Sequence, residues 1–422
     1  MRRLYSLLLY LALPFALLIV GVRGFSEREY WRGGWARFGF GPRRTGGGVW
    51  VHAVSVGEVQ AAAILIEALR AREPALEITL SCATPTARTR GRALLPGLDV
   101  RYAPYDLPGS VRRCLSGLRP RMLIVLETEL WPNLLHQAQH AGVPTLIASA
   151  RVSARSARLY QRLPGLLRAA LAAGVWVGAQ TDADAQRFVA LGVPAHRVSV
   201  VGNIKVDRTL PSGLAQRGQQ LRARYAAERP VWVAGSTHAG EEPIVLEAHR
   251  RLCRSQACTL LILAPRHPQR FDAAAAAVAQ QGLRCIRRSI ESSDDDYQVL
   301  LLDTLGELAE FYAAADVAFV GGSLVAIGGH NLLEPAALGL PVLSGPEQFN
   351  SPELARALSA QGALTIVHDA AELAGALTRL LADPQARATQ GAAGRAAIAA
   401  NRGALARLLS LIDRLPAARD AA

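Results

Sequence analysis

Short apolar runs alternate with helix-like segments along most of this 422-residue chain, and the alternation occurs twice. The first series has predicted strands at residues 49–54, 78–82, 100–103, 122–127, 144–148, 175–179 and 198–201. After a polar break at 202–220, the second series has predicted strands at 231–234, 260–264, 283–286, 299–302, 317–320 and 342–343. Strands that alternate with helices form parallel sheets with helices on both faces. The sequence therefore predicts an α/β fold with two Rossmann-like domains facing a cleft.

The N-terminal segment is a separate element, because residues 4–22 carry no charge and are almost wholly apolar. Nineteen helical residues reach about 28 Å, close to the thickness of the hydrocarbon core of a bilayer. A cleaved signal peptide is the alternative, but Gly21-Val22-Arg23 is a poor cleavage site. Pro14 lies within the segment, so the sequence leaves open a shallow insertion instead of a complete span.

Arginine and aromatic side chains flank this segment and indicate its orientation. The arginines before and after it are Arg2, Arg3, Arg23, Arg28, Arg32, Arg37, Arg43 and Arg44. The interleaved aromatic residues are Tyr30, Trp31, Trp35, Phe38 and Phe40. The positive-inside rule places the body of the protein in the cytoplasm, and the net charge of +13 favours an anionic membrane surface or a phosphorylated substrate. A folded first helix that packs these aromatic residues inward is an alternative compatible with the same pattern.

A glycine-rich turn joins a predicted strand to a predicted helix in residues 320–346, VGGSLVAIGGHNLLEPAALGLPVLSGP. Glycines let the backbone approach a ligand closely, and the start of a helix favours a phosphate. Asn331 occupies the predicted N-cap of a helix at 332–338, and Glu334 follows three residues later. The alternative is therefore a capping box on a packed helix.

The turns after three other predicted strands of this second half, at 235–238, 265–268 and 304–307, also contain polar residues and glycines. The carboxyl ends of parallel strands share one edge of a sheet, where ligands bind. Four turns converging on that edge predict a nucleotide pocket. His267 and His330 taken singly are typical of structural histidines.

Charged side chains also follow the strands of the first half. Glu58 begins a helix after the first strand and is either a general base or a first-turn residue placed for the helix dipole. Glu127 and Glu129 follow the 122–127 strand, where they either position an acceptor or cap the next helix. A phosphate clamp or a solvated basic face is predicted for Arg151, Arg155 and Arg158.

The motifs HAVSVGE, ETELWPN, PRHP, LGELAEFY, FVGGSL and GGHNLLEPA occur in this order after the apolar segment. This set resembles the 3-deoxy-D-manno-octulosonic acid (Kdo) transferase family of lipopolysaccharide synthesis over nearly the whole chain. The resemblance implies a GT-B glycosyltransferase fold, CMP-Kdo as donor, and a tetraacyl lipid A precursor (lipid IVA) as acceptor. It also implies no metal and no cofactor.

Matching the family motifs residue by residue implies that Glu58 is the proton acceptor. The implied CMP contacts are Pro265, Arg266, Leu305, Gly306, Glu307, Asn331, Leu332, Leu333 and Glu334. Leu332 departs from the family, which often has proline there; a first-turn proline preorganises a helix without donating a hydrogen bond. We therefore expect a small effect from this difference.

The resulting prediction is an inner-membrane Kdo transferase with a single N-terminal anchor, cytoplasmic catalytic domains and an inverting single displacement. The predicted segments are a membrane anchor at 1–22, a basic and aromatic membrane-proximal segment at 23–48, an acceptor domain at 49–202, a linker at 203–220, and a CMP-sugar domain with C-terminal helices at 221–422. The predicted partners are CMP-Kdo, the lipid A precursor and anionic lipid, without nucleic acid. Alternatives are another GT-B lipid-linked glycosyltransferase, a nucleotide-sugar epimerase, or a noncatalytic nucleotide-sugar or lipid-binding protein.

Overall fold

The computed structural model describes residues 1–208, 210–256, 258–290 and 296–416, which form two compact units. The first unit contains residues 1–208 and the chain from Asn401 onward, and the second extends as far as Ala400. Four parts of the predicted segments lie outside the described residues: residue 209 of the linker, and residues 257, 291–295 and 417–422 of the predicted CMP-sugar domain.

Seven parallel strands form the sheet of the first unit. They are β1 (Val49–His52), β2 (Ile78–Cys82), β3 (Asp99–Tyr102), β4 (Met122–Leu126), β5 (Thr145–Ala150), β6 (Val175–Ala179) and β7 (Val198–Val200). Their order is β3-β2-β1-β4-β5-β6-β7, so the direction of strand addition reverses between β1 and β4. Each of the predicted strands is present, with bounds that differ by at most two residues.

Helices cover both faces of this sheet. They are α1 (Arg2–Ser26), α2 (Val56–Arg72), α3 (Pro85–Leu94), α4 (Pro108–Leu118), α5 (Pro132–His140), α6 (Ala154–Arg162), α7 (Pro164–Gly174) and α8 (Asp182–Ala190), with 3₁₀ helices at Arg28–Tyr30, Gly34–Phe38, Ala195–Arg197 and Ile204–Asp207. Serine or threonine side chains accept a first-turn N–H at the starts of α2, α3, α6 and α8. These caps satisfy amide groups that a helix start otherwise leaves without partners.

Alternation along the central strands builds an apolar core on each face. In β1, Val49 and Val51 contribute to one core and Trp50 to the other. Because successive side chains of a strand point to opposite faces, a continuous apolar run identifies a strand that is buried on both sides. This burial explains why the runs in the sequence located the strands.

The second unit has its own sheet of seven parallel strands. They are β8 (Val231–Thr237), β9 (Leu260–Pro265), β10 (Cys285–Arg287), β11 (Val299–Leu301), β12 (Val317–Val320), β13 (Val342–Ser344) and β14 (Leu364–Ile366). Their order is β10-β11-β9-β8-β12-β13-β14, with the reversal between β8 and β12. Strand β14, an edge strand of three residues, was not predicted from the sequence.

The helices of the second unit begin inside the predicted linker. They are α9 (Leu214–Tyr225), α10 (Glu242–Ser255), α11 (Phe271–Gln280), α12 (Leu308–Ala313), α13 (Leu333–Leu338), α14 (Pro352–Ala360), α15 (Ala370–Ala382) and α16 (Pro384–Ala400), with a 3₁₀ helix at Pro268–Arg270. Much of the predicted linker is therefore structured, because α9 starts at Leu214 and the 3₁₀ helix Ile204–Asp207 precedes it.

The last described helix, α17 (Ala404–Ile412), packs with the first unit instead of the second. Leu408 and Leu411 are fully buried in the core that lies against β1. The Asp207 carboxylate accepts hydrogen bonds from the backbone N–H groups of Gly403 at 2.7 Å and Leu405 at 2.5 Å. The predicted second domain ran to residue 422, whereas the second compact unit ends at Ala400, because these contacts return the chain to the first unit.

Candidate active site

Carboxylates from two loops lie near the position where the first sheet reverses its strand order. Glu58 stands in the first turn of α2, directly after β1, and Glu127 and Glu129 follow β4. Strands β1 and β4 are hydrogen-bonded neighbours. The crevice beyond the carboxyl ends of such strands is where open α/β sheets bind ligands.

Glu58 forms a capping box with Ser55, the N-cap of α2. The Ser55 hydroxyl accepts from the Glu58 N–H at 3.3 Å and donates to Glu58 Oε1 at 2.8 Å. Glu58 Oε2 accepts the backbone N–H of Val54 at 2.7 Å. The glutamate therefore has a structural role at the helix start, and a carboxylate has additional lone pairs for another partner.

Burial raises the pKa of Glu58 to about 7, and the nearby carboxylates of Glu129 and Glu127 act in the same direction. Hydrogen bonds from Val54 and Ser55 oppose the rise, but the side chain is only 7% exposed. The dipole of a helix start alone would favour the charged form of Glu58, but the loss of hydration on burial outweighs that interaction.

Glu127 has a left-handed backbone conformation, with a φ of 54°. Its carboxylate pairs with two cations. Lys205 Nζ lies 2.5 Å from Glu127 Oε1, and Arg151 Nε lies 3.4 Å from Oε2. Lys205 also borders α2, since a Cβ added to Gly57 would lie 3.5 Å from its Nζ. Sequence reasoning missed Lys205, which lies in the polar break and carries no motif of its own.

Glu129 accepts the indole N–H of Trp131 at 2.6 Å, and burial raises the pKa of this carboxyl. The first turn of α5 is capped by Asp106, which accepts from the N–H groups of Asn133 at 3.1 Å and Leu134 at 2.7 Å. The alternative in which Glu127 or Glu129 caps this helix is therefore excluded. Sequence reasoning did not identify Asp106, because this residue lies in a different turn, between β3 and α4.

The three arginines of the predicted clamp diverge in the structure. Arg151 pairs with Glu127, whereas Arg155 and Arg158 are exposed on α6. Arg158 donates to the carbonyl of Ala154 in its own helix at 3.3 Å. These positions favour a solvated basic face on α6 over one clamp built from all three side chains.

In the second unit a buried carboxylate organises the glycine turn after β12. Glu241 is fully buried, and its two oxygens accept the backbone N–H groups of Gly322, Ser323 and Leu324 at 2.7–2.9 Å and that of His238 at 3.0 Å. The turn is tight, because a Cβ on Gly321 would lie 2.8 Å from the Ser236 carbonyl oxygen. Sequence reasoning placed a phosphate at the start of the helix that follows this turn; within the turn itself, Glu241 accepts the N–H groups of residues 322–324.

Three histidines meet beside this turn. The Nε2 atoms of His238 and His330 lie 2.7 Å apart, so one ring donates to the other. The rings of His238 and His267 contact edge-to-face at 5.2 Å. Burial lowers the pKa of His330 to about 4 and also lowers that of His238. The predicted convergence of turns is thus observed for those that follow β8, β9 and β12.

The remaining residues predicted to contact the sugar donor differ widely in exposure. Arg266 is exposed and follows the buried Pro265. Its backbone N–H donates to the carbonyl of Thr237, at the end of β8, at 2.9 Å. Leu305 is 73% exposed beside Gly306, which has a φ of 94°. Glu307 pairs with Arg288 at 2.7 Å and accepts from Thr304. This second cluster therefore presents an exposed arginine and an exposed leucine.

The helix after the glycine turn begins one residue later than predicted, at Leu333. The side chain of Asn331 accepts the Leu333 N–H at 3.1 Å, as a capping residue does. Leu332 is fully buried, main chain included, so this conformation offers no ligand-accessible surface at that position. Leu333 and Glu334 are partly exposed.

Comparison with known proteins identifies the family. The sequence model described as "3-Deoxy-D-manno-octulosonic-acid transferase (kdotransferase)" matches residues 32–208, and that of "Glycosyl transferases group 1" matches residues 240–397. The 3-deoxy-D-manno-octulosonic acid transferase of Haemophilus influenzae is 39% identical over 97% of this chain and 98% of its own. The chain belongs to the Kdo transferase family. The Bordetella pertussis Kdo transferase is 42% identical over 86% of both chains.

The fold has more distant relatives that share its architecture. The UDP-GlcNAc 2-epimerase from Neisseria meningitidis, solved with UDP-GlcNAc, aligns over 87% of this chain and 99% of its own with a TM-score of 0.60. The identity is 15%, so this likeness concerns the fold alone. The predicted GT-B-type α/β class is confirmed, and this Kdo transferase is a glycosyltransferase.

Proposed function

We propose that this Kdo transferase moves Kdo from CMP-Kdo to a tetraacyl lipid A precursor, lipid IVA, with Glu58 as the general base. The observation that carries the proposal is the buried Glu58 carboxyl, which lies at the reversal point of the sheet and has a pKa of about 7. A general base works best when its pKa is close to the working pH. Family membership supports Kdo as the transferred sugar.

The proposed reaction is a single displacement. A hydroxyl oxygen of the acceptor attacks the anomeric carbon of Kdo, and its proton passes to Glu58. The bond between that carbon and the phosphate oxygen breaks, and CMP leaves with the electron pair. Because attack and departure occur on opposite faces, the configuration at the anomeric carbon inverts.

The chain's own residues would prepare Glu58 for this step. The Val54 N–H and the Ser55 hydroxyl fix the carboxylate in one orientation, which leaves lone pairs for the acceptor proton. Lys205 and Arg151 neutralise Glu127, so that carboxylate adds less repulsion when Glu58 ionises. Bound lipid would exclude further water and keep the Glu58 pKa high.

The donor is assigned to the second unit, where positive charge and hydrogen-bond donors adjoin the turns after β8, β9 and β12. Arg266 is exposed there and would contact the phosphate or carboxylate of CMP-Kdo. The family match implies further contacts through Pro265, Leu305, Gly306, Glu307 and the segment from Asn331 to Glu334. Leu332 is fully buried, so a contact at this position would require a local rearrangement of the segment.

The test is a turnover assay with CMP-Kdo and lipid IVA, followed by mass measurement of the lipid product. Wild type and Glu67→Gln, which changes an exposed glutamate of the same helix, are expected to add Kdo. Glu58→Gln is expected to lose about 10²–10⁴-fold in turnover. Turnover of a UDP-sugar in place of CMP-Kdo would instead assign the chain to another GT-B activity.

The same proposal places the enzyme at the cytoplasmic face of the inner membrane. Helix α1 has a mean hydropathy of 2.2 over its most apolar window and is long enough to cross a bilayer. Deleting residues 1–22 is expected to shift the protein from the membrane to the soluble fraction. A membrane-bound, salt-resistant truncated protein would contradict this placement.

A further inference from the structure

Helix α1 has two unlike faces along its whole length. Its most exposed apolar side chains, with exposed fractions of 54–81%, are Leu4, Leu7, Leu8, Leu11, Phe15, Leu18, Ile19, Val22 and Phe25. Less exposed residues recur every three or four positions at Arg2, Tyr5, Ser6, Leu9, Leu13, Ala16 and Val20. Such a spacing places each set on one side of a helix. The helix therefore has a less exposed side, which meets the protein at the helix ends, and a wide apolar side that is open.

The N-terminal end of α1 is fixed to the first unit by polar contacts. The Tyr5 hydroxyl donates to the Asp106 carboxylate at 3.0 Å. The Ser6 hydroxyl and an Arg2 N–H donate to the side-chain oxygen of Asn133 at 3.1 and 3.3 Å. Ser6 is only 8% exposed. The first two turns of the helix are thus seated on the start of α5.

The C-terminal end of α1 returns to the same unit. Glu29, three residues after the helix, accepts the Tyr102 hydroxyl at its carbonyl at 2.7 Å and pairs with Arg88 at 3.5 Å. The indole N–H of Trp31 donates back to the Gly21 carbonyl at 3.2 Å. These contacts hold the chain that leaves α1 against β3 and α3.

A spanning orientation is incompatible with both sets of contacts. The 25 residues of α1 extend about 37 Å, whereas the hydrocarbon core is about 30 Å thick. A spanning α1 would carry Arg2, Tyr5 and Ser6 to the far side of the bilayer, away from Asp106 and Asn133. We infer that α1 is a monotopic helix that lies in the plane of one leaflet, with both ends on the first unit.

The partner that this surface fits is an anionic lipid leaflet. Exposed Arg3 and Arg23 stand at the two ends of the apolar face, and Trp35 is 75% exposed nearby in sequence. Helix α6 adds exposed arginines at positions 155, 158 and 162. An apolar face bordered by arginine and tryptophan is typical of helices that lie at a membrane interface.

This orientation has a consequence for the acceptor. Asn133, which holds α1, lies in the first turn of α5, four residues after Glu129 of the loop that joins β4 to α5. A helix embedded at the depth of the lipid headgroups therefore adjoins the loop that carries the candidate acceptor residues. A lipid acceptor would reach that loop sideways from the leaflet, without leaving the membrane.

The test uses the full-length chain with Arg3→Cys, which places a thiol at an exposed position. The protein is produced in bacteria that are then converted to spheroplasts. A membrane-impermeant maleimide is added before or after osmotic lysis, and the thiols that remain are then counted in the denatured protein. Wild type supplies the background from the native cysteines, and Arg23→Cys is the control at the other end of α1.

This inference rests on the proposed membrane location, and the two can fail separately. An in-plane α1 predicts that Arg3→Cys sediments with membranes, is protected in intact spheroplasts, and reacts after lysis as Arg23→Cys does. Reaction in intact spheroplasts, or protection that persists after lysis, overturns the in-plane orientation while the protein stays membrane-bound. A soluble protein overturns the membrane location itself, and neither result depends on transferase activity.

Discussion

Replacing Glu58 with glutamine is expected to stabilise the protein while it removes activity. Glutamine keeps the shape of the side chain and accepts the Val54 N–H that Glu58 accepts at 2.7 Å. It does not ionise, so burial no longer carries an electrostatic cost. A residue whose only role is the capping box would instead lose stability, or change little, on this substitution.

The size of the effect follows from the pKa of Glu58, which is about 7 instead of the ordinary 4.5. This difference corresponds to about 3 kcal/mol, because one pKa unit is about 1.4 kcal/mol. The raised pKa means that the folded protein holds this proton more tightly than the unfolded chain. Stability is therefore greatest below pH 4.5 and falls as the pH rises to about 7.

The assay is thermal unfolding of wild type and Glu58→Gln at pH 4.5 and pH 8. The variant should gain up to about 3 kcal/mol at pH 8, or about 6–12 °C for a unit of this size, and only a few tenths of a kcal/mol at pH 4.5. Glu67→Gln is the control, since Glu67 is exposed on the same helix. An equal difference between wild type and Glu58→Gln at both pH values would refute the reasoning.

The same pKa predicts the pH dependence of the reaction. A general base must be deprotonated, so kcat/KM of the wild type should rise through about pH 7 and level off above it. This direction is opposite to that of the stability contribution, which is lost as the pH rises from about 4.5 to about 7. A rate that is flat between pH 5.5 and 8.5 would leave Glu58 with its capping role alone.

Three further substitutions test other contacts. Arg266→Ala should weaken CMP binding, measured by calorimetry, by about 1.5–3 kcal/mol and leave the affinity for the lipid unchanged. The control Arg254→Ala, which changes an exposed arginine of α10, should leave CMP binding unchanged, and equal losses for CMP and lipid would contradict the assignment. Lys205→Met should cost about 1–3 kcal/mol in urea unfolding, because the buried Glu127 loses its nearer partner. Glu241→Gln should lower stability by about 1–3 kcal/mol, because an amide N–H would then face backbone N–H groups; unchanged unfolding would contradict the observed contacts.

The strands were predictable because a strand that is buried on both faces has a continuous run of apolar residues in the sequence. Strand β12 has the predicted bounds, Val317–Val320, since four consecutive apolar residues between polar ones have few other interpretations. Strand β14, a three-residue edge strand, was not predicted, although the edge strands β7 and β10 of the same length were. The return of α17 to the first unit was not predictable, because it depends on Asp207 and on apolar contacts far apart in the chain.

In the candidate site as well, local features were predictable from the sequence and distant partners were not. Local motifs located Glu58, Glu127 and the glycine turn after β12, because each follows a strand directly. The partners that set their properties come from elsewhere, as Lys205 does for Glu127 and Glu241 for the glycine turn. The pKa of Glu58 depends on burial, which a sequence motif does not describe.

The central claim is transfer of Kdo from CMP-Kdo to a lipid A precursor with Glu58 as base. The most direct measurement is the mass of the lipid product after incubation of full-length enzyme with CMP-Kdo and lipid IVA, alongside Glu58→Gln. We predict lipid that has gained Kdo, CMP released in equal amount, and almost no product with Glu58→Gln. Unmodified lipid with the wild type, or undiminished product with Glu58→Gln, would contradict the account.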